Sequence, residues 1–339
     1  MPVVVYMVGR VTYRRFRINT ISRNCLLKLR SAGQFASRIN PGRMGNAQNI
    51  AYGGCTIGFG ISSACHTVEP KYLLYSVTGN YLGPALTDRK LKSTVRRVRD
   101  TRTFATRLIE ISQDQDNGES RLCMIMLEDF QVKEQASLLL YSAPPSRSYS
   151  PPEKGLLPTE AAEKLVKEGV VSEKLGKLYL VTFGLNARFL ESRMTPEGVA
   201  PNNLHGVAKK AKTPQDDLPL TSKTTADWLR SRHPMERLQD RFAGLGFVLD
   251  GALSFIPLTH NHMFLDDAAA CSSLDFALRF FTGEIDLDKW HLRELKTITG
   301  RDGRTYTEAR LWDQDGNMAA NMTQQSIMRP LKKAATASL

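Results

Sequence analysis

Asp250 ends the stretch LGFVLD, a carboxylate set among Leu245, Phe247, Val248 and Leu249. An ionised carboxylate in such a setting is costly unless it is paired or put to use. Two readings follow. One is a structural Asp hydrogen-bonded to a strand hydroxyl; the other is a general base whose proton affinity is raised by burial. His260 and His262, followed by Asp266 and Asp267, have the donor types of a metal site. A solvated loop after a helix is the commoner meaning of such a cluster. Gly58-Phe59-Gly60 and Gly244-Leu245-Gly246 lack the third glycine of a dinucleotide fingerprint and read as sites of close helix packing. No G-x-S-x-G elbow occurs, which argues against a serine hydrolase of the α/β type. Five cysteines (Cys25, Cys55, Cys65, Cys123, Cys271), odd in number and without C-x-x-C, suit reduced thiols better than disulfides or zinc.

The element that must hold Asp250 is a helix expected over Glu236–Ile256. Leu238, Phe242, Leu245 and Leu249 form its stripe, and Phe247 and Val248 make its second half apolar all round, so it must be enclosed. Pro257 is expected to stop it. A long antiparallel sheet wrapped round one helix meets that need, and an internal repeat at about 200 residues supplies two such units. YLGPALTD, with Gly83 and Asp88, is matched by FTGEIDLD, with Gly283 and Asp288. Arg102-Thr103-Phe104 is matched by Arg304-Thr305-Tyr306, and Asp114-Gln115-Asp116 by Asp313-Gln314-Asp315. Each copy reads as a glycine-containing helix, Gly53–Thr67 in the first, followed by four strands. These are 72–82, 91–98, 104–113 and 121–132 in copy one, and 274–281, 292–299, 305–312 and 318–328 in copy two. Between the copies, 142–158 holds five prolines and reads as an extended linker. Residues 159–178 read as helical, and 196–222 as an exposed loop.

The chain has 339 residues, 42% of them hydrophobic, and no apolar run long enough to span a membrane. Its net charge of +12 is concentrated: residues 1–68 carry eight Arg, one Lys and no acid. The remainder is close to neutral, so nucleic acid is not an expected partner. The basic, Ser-containing segment to Arg43 resembles a mitochondrial transit peptide, or is a basic extension. Ala337-Ser338-Leu339 has the outline of a peroxisomal address without its basic middle residue. A peroxisomal or cytoplasmic location is expected, with a mitochondrial one as the alternative.

The segment YGGCTIGFGISSACHTVEPKYLLYSVTGNYLGP, then RRVRDTRTFATR, LGFVLD, SSLDFALRF and NMTQQSIMR, resembles the acyl-CoA thioesterase II family in order and spacing. The resemblance runs from about Gly45 to Pro330. It implies an α+β double hotdog, two antiparallel sheets each wrapped round a central helix, in keeping with the repeat. It implies a catalytic set of Asp250, Ser273 and Gln324, with Gln325 the alternative to the last. It also implies that backbone N–H groups of Gly53 and Gly54, at a helix N-terminus, face the developing oxyanion. The chain departs from the family's usual pattern at Cys55, Gly83 and Thr101, where Gln, Arg and Gly are usual.

The expected layout is a basic extension (1–43), an N-terminal hotdog (44–135), a linker and helix (136–178), a C-terminal hotdog with the catalytic residues (179–331) and a tail (332–339). The expected activity is hydrolysis of fatty acyl-CoA to free acid and CoA by an activated water, with no cofactor beyond the CoA of the substrate. An acyl-CoA or acyl-carrier thioester is the expected partner, and a homo-oligomer the expected assembly. Release of a polyketide or modified acyl chain is the alternative within the same chemistry. A non-catalytic acyl-binding hotdog protein is the alternative of another class.

Overall fold

Alternating inward and outward residues build long strands here, and glycines let two helices meet beneath them. A computed structural model describes residues 27–331, apart from Ala32 and Ala47. The transit-like residues before 27 and the C-terminal Ala-Ser-Leu lie outside the described residues.

The first half contains β1 (Leu27–Ser31), β2 (Gln34–Ser37), helix α1 (Gly53–Cys65), β3 (Tyr72–Tyr81), β4 (Lys92–Asp100), β5 (Phe104–Asp114) and β6 (Ser120–Val132). The second contains β7 (Leu190–Met194), β8 (Thr225–Ser231), helix α5 (Leu238–Leu249), β9 (Ala268–Phe280), β10 (His291–Arg301), β11 (Arg304–Trp312) and β12 (Met318–Pro330). Helices α2 (Pro158–Lys167), α3 (Glu173–Phe183) and α4 (Ala200–Asn203) lie in the intervening chain, and α6 (Ile256–His260) follows α5. All the strands form one antiparallel sheet in the order β1-β2-β4-β5-β6-β3-β9-β12-β11-β10-β8-β7. The halves join where β3 pairs β9, Thr78 opposite Ala277.

The repeat extends to the irregularities of the sheet. A bulge falls between Arg97 and Arg99 on β4 and between Thr297 and Thr299 on β10. The turns Asp114–Ser120 and Trp312–Met318 each use a glycine at φ +83°, Gly118 and Gly316. By this register Thr106 and Tyr306 hold equivalent positions in the two halves, so the R-T-F and R-T-Y triplets match in sequence two residues out of structural step.

The two helices pack antiparallel at glycines. A Cβ at Gly54 would come within 2.3 Å of the Phe247 carbonyl oxygen, and one at Gly58 within 2.9 Å of that of Ala243. At Gly246 it would meet Ile57 and Ile61. This is the close packing expected of the G-x-G pairs.

Four expectations need correction. Strands β1 and β2 lie inside the segment expected as an extension, and β2 pairs β4 through Phe35 and Ser93. Helix α5 ends at Leu249 with Asp250 as its C-cap, and Pro257 sits in the first turn of α6, where its missing N–H costs nothing. Strand β9 begins six residues before the expected start. Residues 196–222 are not an exposed loop: Leu204, Ala208 and Ala211 are buried with α2 and α3 in a second apolar cluster. The Pro-rich linker is held by Trp312 Nε1 on the Ala143 carbonyl (2.8 Å) and Trp228 Nε1 on that of Ser150 (2.9 Å), and makes one short helical turn at Pro152–Lys154.

Candidate active site

Antiparallel helix packing sets the N-terminus of α1 beside the C-terminus of α5, so Asp250 meets the positive end of a helix dipole. Asp250 is buried, with 6% of its surface exposed. Its Oδ1 accepts from Gln324 Nε2 at 2.8 Å and from the Tyr81 hydroxyl at 3.0 Å. The Gly54 N–H also bonds the carboxylate. Burial raises the Asp250 carboxyl above its ordinary value, and these three hydrogen bonds oppose the rise.

The backbone before Asp250 is pinned as well. The Phe247 carbonyl accepts from the Tyr52 hydroxyl at 2.6 Å, and the Val248 carbonyl from Arg293 Nη1 at 2.7 Å. Two residues on, Ala252 takes a left-handed φ of +75°, a strained choice for a residue with a Cβ.

Strand parity sorts the other candidates. Met322, Gln324 and Ser326 alternate inward along β12, and Gln325 points to the opposite face. Opposite β12, strand β9 bulges at Leu274: Gln325 faces Asp275, and Ser326 faces Ser273. The bulge shifts Ser273 onto the same inner face as Phe276 and Gln324. Ser273 and Asp250 both line a cavity of about 350 Å³, with Gly53 and Tyr52 at its α1 side. Gln324 is fully buried behind Asp250.

Of the expected oxyanion pair, the Gly54 N–H lies toward the Asp250 carboxylate and lowers its proton affinity. Gly53 occupies the first helical position, whose N–H has no intrahelical partner. A Cβ at Gly53 would lie 2.6 Å from the Tyr81 hydroxyl and 2.8 Å from Asp250 Oδ2. The histidine cluster goes elsewhere. His260 Nε2 meets Thr225 Oγ1 (3.0 Å), His262 Nε2 meets Asp216 Oδ1 (2.8 Å), and Asp266 and Asp267 pair with Lys209.

Sequence reasoning missed Tyr81, Tyr52 and the Arg293–Asp227 pair. Tyr81 stood within the repeated YLGPALTD segment but had no counterpart tyrosine. Arg293 lies in the run His291–Leu295, buried throughout, where a basic residue between leucines was the available signal.

An unbroken antiparallel sheet over two antiparallel helices, with a carboxylate enclosed where they cross, defines a double hotdog. Its residues 40–131 match the acyl-CoA thioesterase N-terminal domain, and residues 187–328 the acyl-CoA thioesterase C-terminal domain. The chain belongs to the acyl-CoA thioesterase family, whose members are thioester hydrolases. Among solved structures it is similar to the acyl-CoA thioesterase II TesB2 of Mycobacterium marinum, at 19% identity and TM-score 0.64, covering 93% of this chain and 98% of that one. It is also similar to a putative thioesterase II of Thermobifida fusca YX (14%, TM-score 0.65, covering 92% and 98%). A hot dog fold protein of unknown function from Alicyclobacillus acidocaldarius gives 14% and 0.63, covering 93% and 100%. At these identities the likeness carries the fold. No curated protein matches the chain. Among the described residues no helix is long and apolar enough to cross a membrane.

Proposed function

We propose that the protein hydrolyses fatty acyl-CoA with a water activated by Asp250. The supporting observation is the buried Asp250 carboxylate, with Oδ1 held by Gln324 and Tyr81 and the α1 N-terminus against it. Two donors hold Oδ1, and Oδ2, on the Gly53 side, is the oxygen that would accept the proton. Burial raises the carboxyl toward the pH at which a base works best. The water oxygen attacks the thioester carbon as its proton passes to Asp250, and the negative charge moves to the carbonyl oxygen. The Gly53 N–H is the donor proposed for that oxygen. Ser273, on the cavity wall, orients the water or the carbonyl. Collapse breaks the C–S bond, and the CoA sulfur leaves with the proton that Asp250 took. No covalent acyl-enzyme is needed.

The test is free-thiol release from short, medium and long acyl-CoAs by wild type and Asp250→Asn. A loss of orders of magnitude in a folded variant supports the reading. Equal rates in the two proteins, or no thiol from any acyl-CoA, sinks it. A homo-oligomer and a peroxisomal or mitochondrial address are further proposals. The mass in solution and the compartment in which a tagged full-length chain accumulates test them.

A further inference from the structure

A second group of enclosed polar side chains shares the cavity with Asp250, and beyond the bond of Arg293 to the Val248 carbonyl the proposed hydrolysis does not use it. Asp227, on β8, receives Arg293 Nε at 2.8 Å and Nη2 at 3.0 Å in a forked ion pair. The Ser192 hydroxyl adds a bond to Asp227 at 2.7 Å. Both charged side chains are more than nine-tenths buried, at 8% and 7% exposure, yet both line the cavity. Their place along it is fixed by the backbone: Arg293 Nη1 reaches the Val248 and Gly251 carbonyls on either side of Asp250. The pair therefore borders the end of the cavity where the thioester carbon must sit.

The guanidinium has five N–H donors. One Nη2 donor has no acceptor among the described residues, since the bonds above occupy the others. Elsewhere in the wall, His205 packs against Tyr179 and Phe183, with ring centroids 5.8 and 5.5 Å away. It is held at φ +55° with Nδ1 3.1 Å from the Tyr179 hydroxyl.

A plain alkyl chain laid along this wall would strip water from an ion pair and return no hydrogen bond, which is unfavourable. An oxygen on the acyl chain restores the bond: a keto oxygen accepts from Arg293, and a hydroxyl also donates to Asp227. Sites that hydrogen-bond a substrate oxygen discriminate strongly against the analogue lacking it. We propose that the cavity selects acyl groups bearing a hydroxyl or keto oxygen close to the thioester, held by the Arg293–Asp227 pair. This rests on the proposed function only in taking the cavity as the acyl site.

The experiment is calorimetric binding of octanoyl-CoA, 3-hydroxyoctanoyl-CoA and 3-oxooctanoyl-CoA to the full-length Asp250→Asn protein. At least tenfold tighter binding of an oxygenated thioester is expected, falling to parity when Arg293→Met is added. Tighter binding of the hydroxy form alone assigns acceptance to Asp227; tighter binding of both assigns donation to Arg293. Equal or weaker binding of both oxygenated forms overturns the proposal. So does undiminished preference in a folded Arg293→Met protein. Should that variant fail to fold, the double variant Asp227→Asn/Arg293→Met, which leaves neither charge buried alone, takes its place under the same two outcomes. Binding is read without turnover. Absence of hydrolysis would thus sink the proposed function alone, and equal binding with normal hydrolysis would sink this inference alone.

Discussion

In the first half the central helix ends at His66, and in the second at Asp250. Both caps have right-handed backbone (φ −73°, ψ −6° and φ −64°, ψ −19°), yet His66 is exposed and Asp250 buried. Aligning the bulge of β3 at Tyr75 with that of β9 at Leu274 sets Leu74 against Ser273 and Glu128 against Gln324. The difference begins in the connections. Only the short turn 67–71 joins α1 to β3, whereas 251–267, with α6, and the inserted α2–α4 segment roof the second site. In the second half this cover encloses the cavity that Asp250 lines. The first half also buries a carboxylate, but at Glu128, where neither oxygen has a hydrogen-bond partner among the described residues. Arg107, opposite Glu128 on β5, turns its guanidinium to Thr67 and to Asp100 at 2.6 Å. At this end the first turn of α5 meets its own Asp240, paired with Arg237 at 2.9 Å. Burial of a carboxylate is thus common to both halves, and donors aimed at it are found only in the second.

The largest effect that could break this comparison is at the caps. Asp250→Asn should lower kcat by about 10²–10⁴ with an unchanged circular dichroism spectrum, whereas His66→Asn should leave kcat as it was. A comparable loss at His66 would mean that both crossings work. Gly53→Ala comes next. Its Cβ would press on Tyr81 and Asp250 Oδ2, and kcat should fall about 10²-fold, the cost of displacing a reacting group by about an ångström. A matched loss of Tm would assign the effect to packing.

Gln324→Ala removes one donor and opens space behind Asp250, so a loss of roughly 10–100-fold in kcat/KM is expected, the size of removing one charge-assisted bond of about 1.5–3 kcal/mol. Tyr81→Phe should cost about tenfold or less, and its signature is in the pH profile. The Tyr81 bond lowers the Asp250 pKa, so its loss should move the acid limb of kcat/KM to higher pH. A limb that stays put would remove Tyr81 from the site.

The smallest effect is one of stability. Burial raises the Glu128 carboxyl well above its ordinary value. The folded state then holds a proton that the unfolded state has released, so stability is full below about pH 4.3, the unfolded value, and falls as pH rises through the folded pKa. Glu128→Gln should flatten Tm against pH across that window without altering the acid limb of activity.

The repeat and its D-Q-D turns were legible because short motifs recur at a nearly constant offset, and the strands and the enclosed helix because each rests on periodicity within one element. Asp250 was legible for the same reason, being a charge in an apolar run. Tyr81 was not, because its meaning comes from antiparallel helix packing and the β3–β9 pairing, which no local pattern encodes. Residues 196–222 misled because their Lys, Pro and Asn content is that of a loop. Leu204, Ala208 and Ala211, scattered among those residues, nonetheless pack into the second cluster. The true end of α5 was hidden because Gly251–Leu258 continues an apolar composition after the helix has stopped.

The seam between β3 and β9 has a kinetic corollary. Asp250 is tied to Tyr81 across 169 residues of chain and to Gln324 across 74, so these contacts are among the slowest to find each other during folding. Each half could collapse round its own helix before the sheet becomes continuous, and thiol release would begin only once the seam has closed. In refolding, regain of activity should lag behind regain of secondary structure, making turnover a clock for the last step of assembly.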